Sequence, residues 1–186
     1  MLGAIRRRIG IYAFMKEVSH HTRQKRMVNL MDAKHIGVIY TLEDVPDYEK
    51  VSEFVAELQH DHKEVKALGF VKNRELISRF LPRLSFDFFS KKDMTWFYKP
   101  IHATVRDFIA REFDILIDLS LQDSFPLRYI CGLSKSCCKV GRFSEENAKY
   151  YDLMIDPKAN VGFDEYLGYV KHYLTIINRE KGIEKY

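Results

Sequence analysis

HIGVIYT, residues 35–41, is the stretch that decides the fold. It is almost wholly apolar and partly β-branched, as befits a strand buried on both faces. Asp44-Val-Pro-Asp47 follows with helix-start chemistry. Pro46 suits an early helical position, and a carboxylate at Asp47 accepts from orphan amides. Val51, Phe54, Val55 and Leu58 then recur on one helical face. VKALGFV, residues 65–71, closes the unit as a second buried strand. Strand, helix and strand in this order make a parallel pair with a right-handed crossover.

The pattern continues in both directions. Asn73 to Leu81 fits a short helix capped by Asn73 and stopped by Pro82. Leu84 to Phe89 and Thr95 to Tyr98 are aromatic-rich, as short strands or a hydrophobic loop. Pro100 opens a helix carrying Ile101, Val105, Phe108 and Ile109. FDILIDL, residues 113–119, is the clearest strand. A helix over Phe125 to Leu133, strands over Lys139–Phe143 and Tyr151–Ile155, and a closing helix over Phe163–Asn178 complete the series. Upstream, Ile5, Ile9, Tyr12 and Met15 recur at helical spacing and residues 2–31 read as helical, with the polar segment Val18–Arg26 either breaking or extending the helix. The expectation is a Rossmann-like three-layer α/β domain with a mainly parallel sheet over residues 34–186. A basic amphipathic helical extension, residues 1–33, precedes it.

The 186 residues fit one domain, with 46% hydrophobic and 30% charged residues in ordinary globular balance. The net charge of +4 is small, but it is concentrated. Residues 1–34 hold eight basic side chains against Glu17 and Asp32, and the rest of the chain is slightly acidic. Cys131, Cys137 and Cys138 are an odd set with two adjacent, which is not a secreted disulfide framework. The sequence has no apolar run long enough to span a bilayer. The expected location is the cytoplasm, or the cytoplasmic side of an inner membrane.

The motifs of catalysis are missing. A dinucleotide loop needs Gly-x-Gly-x-x-Gly after the first strand, where this chain has Thr41-Leu-Glu-Asp-Val-Pro46. Gly132-Leu-Ser-Lys-Ser136 has the wrong spacing for a phosphate loop. Glu57 with His60 and His62 offers metal-ligand types without paired cysteines, and a solvated helix end is the simpler reading. Cys137-Cys138 lacks the Cys-x-x-Cys spacing of a redox pair. No catalytic residue, metal or cofactor is therefore assigned. In a parallel sheet, ligands sit beyond the carboxyl ends of the strands. That rule makes Glu43, Asp44, Asp118 and Ser120 the candidate ligand pocket.

Over residues 35–178 the order of HIGVIY, then FDILIDLSLQDSFPLRYICGLSKSCCKVGRF, then YDLMI and a final helix resembles a family of uncharacterised bacterial proteins. That family implies no activity. Asp114-Ile-Leu-Ile-Asp118 followed by Lys139-Val-Gly-Arg-Phe143 is similar to the N-terminal Rossmann-like half of heptosyltransferase-type glycosyltransferases. This resemblance implies sugar transfer. The chain departs from that family at Glu43-Asp44, where a Gly-Asp loop carries the catalytic carboxylate.

Two functional expectations follow. The first is a non-catalytic binding or accessory domain whose N-terminal helix engages ribosomal RNA, an anionic membrane surface or a protein. Its contacts would be Arg6, Arg7, Arg8, Lys16, Arg23, Lys25 and Arg26, within residues 1–31. The second is a small enzyme or ligand-binding protein related to half of a glycosyltransferase. The aromatic segment 86–98 adds a candidate homo-oligomer contact, and it reads equally well as core.

Overall fold

The structure, a computed structural model, describes residues 2–72, 84–157 and 161–177. Six strands form one sheet: β1 (His35–Leu42), β2 (Glu64–Val71), β3 (Phe86–Ser90), β4 (Ile115–Asp118), β5 (Cys138–Arg142) and β6 (Leu153–Ile155). Among the described residues, five α-helices accompany them: α1 (Leu2–Ser19), α2 (Val45–His60), α3 (Ala103–Ala110), α4 (Phe125–Leu133) and α5 (Phe163–Ile176). The strand order is β3-β2-β1-β4-β5-β6, and every pairing is parallel. This is the doubly wound order, with its switch point between β1 and β4.

The apolar strands are buried on both faces, as a parallel sheet requires. Ile36, Val38, Tyr40 and Leu42 pack with Val51, Phe54, Val55 and Leu58 of α2 and with Tyr166, Val170 and Leu174 of α5. On the other face, Ile39, Leu68 and Leu116 pack with Val105 and Phe108 of α3 and with Leu127 and Ile130 of α4. Helix α2 starts where the sequence places it. Asp44 is the N-cap and its carboxylate accepts from Asp47 N at 3.1 Å, while Asp47 Oδ2 accepts from Glu43 N at 3.2 Å. It ends at His60 with Asp61 as its C-cap, and His62 just beyond turns the chain with a left-handed φ of 59°.

The structure decides between readings that the sequence left open, and the proposed helix over Asn73–Leu81 lies outside the described residues. The N-terminal helix stops at Ser19 rather than near residue 31. Beyond it the polar run has no apolar periodicity to hold a helix on the core, and its backbone bonds elsewhere. Arg26 N donates to Cys137 O at 3.1 Å and Leu30 N to Leu174 O at 2.8 Å. Val28 and Ala33 join the main core, so residues 20–34 pack against the domain. Of the two aromatic stretches read as short strands or a hydrophobic loop, Leu84–Phe89 yields the edge strand β3 and Thr95–Tyr98 a tight turn closed by a bridge between Met94 and Pro100. Tyr98 carries its left-handed φ of 69°.

Helix α1 docks through an unexpected face. Phe14 is buried against Phe125 and Tyr129, at ring-centroid distances of 6.0 and 5.2 Å, with Ile11 and Val18 packed alongside. Burying one such aromatic ring stabilises by about 1.5–3 kcal/mol. Two glycines permit the approach. A Cβ on Gly132 of α4 would lie 2.6 Å from the Phe14 ring, and one on Gly10 would lie 2.2 Å from Phe97 O. Glu17 adds a polar anchor, accepting from Lys99 Nζ at 2.5 Å and from the Tyr129 hydroxyl.

Gly132→Val therefore overpacks the α1–α4 contact. Urea denaturation followed by circular dichroism is expected to show a loss of about 1–3 kcal/mol, with the sheet retained.

Candidate functional site

The carboxyl end of β4 is the polar centre of the domain. Asp118, the last residue of the strand, is 8% exposed. Its Oδ1 accepts from Ser120 N at 2.9 Å and its Oδ2 from the Tyr151 hydroxyl at 2.5 Å. The Tyr166 hydroxyl donates to Asp118 O at 3.1 Å. Tyr151 reaches the carboxylate because it lies flat over β5 at Gly141, where a Cβ would sit 2.3 Å from its ring. Burial pushes the Asp118 carboxyl above the usual carboxylate range, despite the opposing hydrogen bonds from Tyr151 and Ser120.

A cavity of about 100 Å³ opens beside this group. Asp118, Ser120, Asp123, Arg142, Asn147 and Tyr151 are among its lining residues. Its walls are the loop after β4 and the loop after β5, and Arg128 staples the two. The Arg128 guanidinium pairs with Asp123 at 2.5 Å and with Glu146 at 2.7 Å. Two buried atoms in the lining lack a hydrogen-bond partner, Asn147 Oδ1 and Ser120 Oγ. The Ser120 hydroxyl lies beside the Asp118 carboxylate and favours its charged form.

The structure brings together only half of the four-residue pocket read from sequence. Asp118 and Ser120 share the cavity. Glu43 instead pairs with Lys72 at 2.5 Å, and Asp44 caps α2. Sequence reasoning missed Tyr151 and Asn147. Both lie in the segment after β5, and their one signal was its position at the carboxyl end of a neighbouring strand.

The basic residues also divide. Arg23 is spent inside the fold: its guanidinium donates to both Asp152 carboxylate oxygens at 2.7 Å and to Cys137 O at 2.8 Å. Lys25 lies 4.0 Å from Asp152, and Arg26 lies 3.4 Å from Asp114. Arg6 Nε donates to Trp96 O at 2.8 Å, with its guanidinium 5.9 Å from the Tyr98 ring centre. Arg7 lies 3.9 Å from Glu146 at the surface. Arg8 and Lys16 are exposed and make no ion pair among the described residues. Next to these cations, Ile5, Ile9, Tyr12 and Met15 face solvent, with Tyr12 73% exposed. Trp96 is also exposed, whereas Phe86 and Phe89 of the same aromatic segment are core.

The remaining candidates do not form a reactive centre. Cys131 and Cys138 are buried, and burial pushes the Cys131 thiol up to about 12. Such a thiol stays protonated at neutral pH and is a poor nucleophile. Lys139 is 1% exposed, and its ammonium donates to Cys131 O at 2.5 Å at the end of α4. Burial pushes it down to about 8. Glu57 pairs with Lys171, and the His60 side chain is solvated. Among the described residues no cluster of three His, Cys, Asp or Glu side chains is placed to hold a metal ion.

The fold and its polar edge define a doubly wound α/β domain without a phosphate-binding loop at its first strand. The chain belongs to DUF6913, a family of unknown function whose profile matches residues 6–177. The match includes most of α1 and the woven segment after it, as well as the sheet. No curated protein matches the chain.

Asp118→Asn tests the electrostatics of the site. A carboxyl raised in the folded state costs stability as pH climbs from the unfolded value through the folded one. The variant is therefore expected to melt at the same or a higher temperature than the parent at pH 7. The parent should gain on it as pH falls towards 4, measured by scanning calorimetry at both values.

Proposed function

We propose that this protein is a non-catalytic binding domain that docks through α1 on an anionic membrane surface. One observation carries the reading: α1 is clamped to the body by Phe14, yet its Ile5, Ile9, Tyr12 and Met15 stripe faces outward. Arg7, Arg8 and Lys16 lie on the same exposed helix. Trp96 is joined to that helix through Arg6. An interfacial helix needs both features, apolar side chains for the acyl boundary and cations for the headgroups. Each cation near such a surface contributes about 1 kcal/mol. Tryptophan also favours this depth, where one end of its ring is dry and the other wet.

An RNA partner is supported less well. Phosphate contacts would use the cations but would leave Ile5, Ile9 and Met15 exposed to water. Among the described residues no helix is long and apolar enough to cross a membrane, so the association is peripheral.

Flotation with vesicles decides between these partners. The protein is expected to float with phosphatidylcholine vesicles containing phosphatidylglycerol and to stay behind with phosphatidylcholine alone. The double variant Arg7→Glu, Arg8→Glu should weaken binding by at least about tenfold, and Ile9→Asp should do the same with the fold intact by circular dichroism. Equal recovery with both vesicle types, or retention of RNA in place of vesicles, sinks the reading.

A further inference from the structure

We infer that the cavity between the β4 and β5 carboxyl ends binds a small zwitterion of the α-amino acid class, its ammonium held by Asn147 and Asp118 and its carboxylate by Arg142. The inference is independent of the membrane reading and rests on three features.

The first is an unmatched pair of charges. Asp118, Asp123 and Arg142 are the charged residues of the lining. Asp123 is matched by Arg128 at 2.5 Å. Asp118 accepts from uncharged groups, the Ser120 amide and the Tyr151 hydroxyl. Arg142 is exposed and donates to the neutral Leu121 carbonyl. Among the described residues neither Asp118 nor Arg142 has a counter-ion, and the two do not reach each other. With both carboxyls ionised, an anion alone meets Arg142 but faces Asp118 and Asp123. An amine alone meets Asp118 but faces Arg142. A ligand that carries both charges a few bonds apart meets both.

The second is an acceptor without a donor. Asn147 is 8% exposed, and its Oδ1 is buried with no partner. Leaving such an atom unpaired forfeits its solvation. A side-chain amide oxygen only accepts, so its ligand must donate. An ammonium brings three donors, one for Asn147 and the others for Asp118. The roughly four acceptor sites of that carboxylate are not exhausted by Ser120 and Tyr151. Burial disfavours the Asp118 charge, and a cation beside it offsets that cost.

The third is a small, fixed space. Arg128 joins the two loops, and Gly141 lets the Tyr151 ring lie against β5. A volume of about 100 Å³ is roughly the share of three liquid waters. It takes the smallest amino acids and not a nucleotide. A metal ion would use the same oxygens, but it would stand against Arg142.

The test is a two-dimensional ¹H–¹⁵N titration of the whole chain at pH 7 with glycine and with L-alanine. Ethylamine and propionate, which carry one charge each, serve as controls. Both amino acids are expected to shift the Ser120, Arg142, Asn147 and Tyr151 amides saturably in the millimolar range. Each control should bind at least about tenfold more weakly, the cost of one lost charge-assisted hydrogen bond. Arg142→Gln and Asn147→Ala should each weaken the glycine response by a similar factor. Arg142 is exposed, so its variant decides even where Asn147→Ala does not fold. Linear, non-saturating shifts with both amino acids overturn the proposal. So does saturable binding of ethylamine or propionate as tight as that of glycine, or a glycine response unchanged in folded Arg142→Gln.

Discussion

Parallel strands cannot be joined by a tight turn, and the rest of this domain follows from that constraint. Each return to the amino end of the sheet needs a crossover, and each crossover covers a face. Helices α2 and α5 close one side and α3 and α4 the other. The chain crosses from β3 at one edge to β4 beside β1, so the direction of winding reverses there. That reversal leaves β1 and β4 with their carboxyl ends free of an overlying crossover. It is where Asp118 sits, with Ser120 and Asn147 in the lining of the same cavity.

The buried polar groups are individually expensive, and they support one another. Asp118 holds Ser120 N and the Tyr151 hydroxyl, while Lys139 caps carbonyls at the end of α4. Arg23 bonds to the carbonyls of Ser136 and Cys137 and to Asp152, which also accepts from Lys139 N. These contacts pin the N-terminal segment, the end of α4 and the start of β6 to the two sides of β5. A structure that only needed stability would be served as well by apolar residues at such positions. The Asp118 group stands at the carboxyl end of β4, and the Arg23–Asp152 group stands at the amino end of β5.

The sequence revealed most of the architecture and little of the site. HIGVIYT, VKALGFV and FDILIDL show their burial in their own composition, and α2 shows its inner face through Val51, Phe54, Val55 and Leu58. Such signals are local. The site is not. Arg23 reads as a surface charge until Asp152, 129 residues away, is brought beside it. Tyr151 reads as the start of a strand until Gly141 gives its ring a place to lie. The spacing of Ile5, Ile9, Tyr12 and Met15 identified a helical stripe but not which way it would point, because that depends on what α4 offers opposite. Of the four carboxyl-edge residues, Asp118 and Ser120 share a loop after one strand, whereas Glu43 and Asp44 are taken up by Lys72 and the α2 cap.

The rotational phase of α1 is set by two missing side chains, at Gly10 and Gly132. The helix can seat only where Gly10 meets the Phe97 carbonyl and Phe14 meets Gly132. Successive residues of an α-helix are about 100° apart, so moving the glycine by one position would turn the stripe toward the body or along its flank. The direction in which α1 presents its outer residues is thus encoded jointly, by Gly10 and Phe14 in the helix and by Gly132 and the Phe97 carbonyl in the body. A peptide of residues 2–19 would carry the same side chains with no defined azimuth.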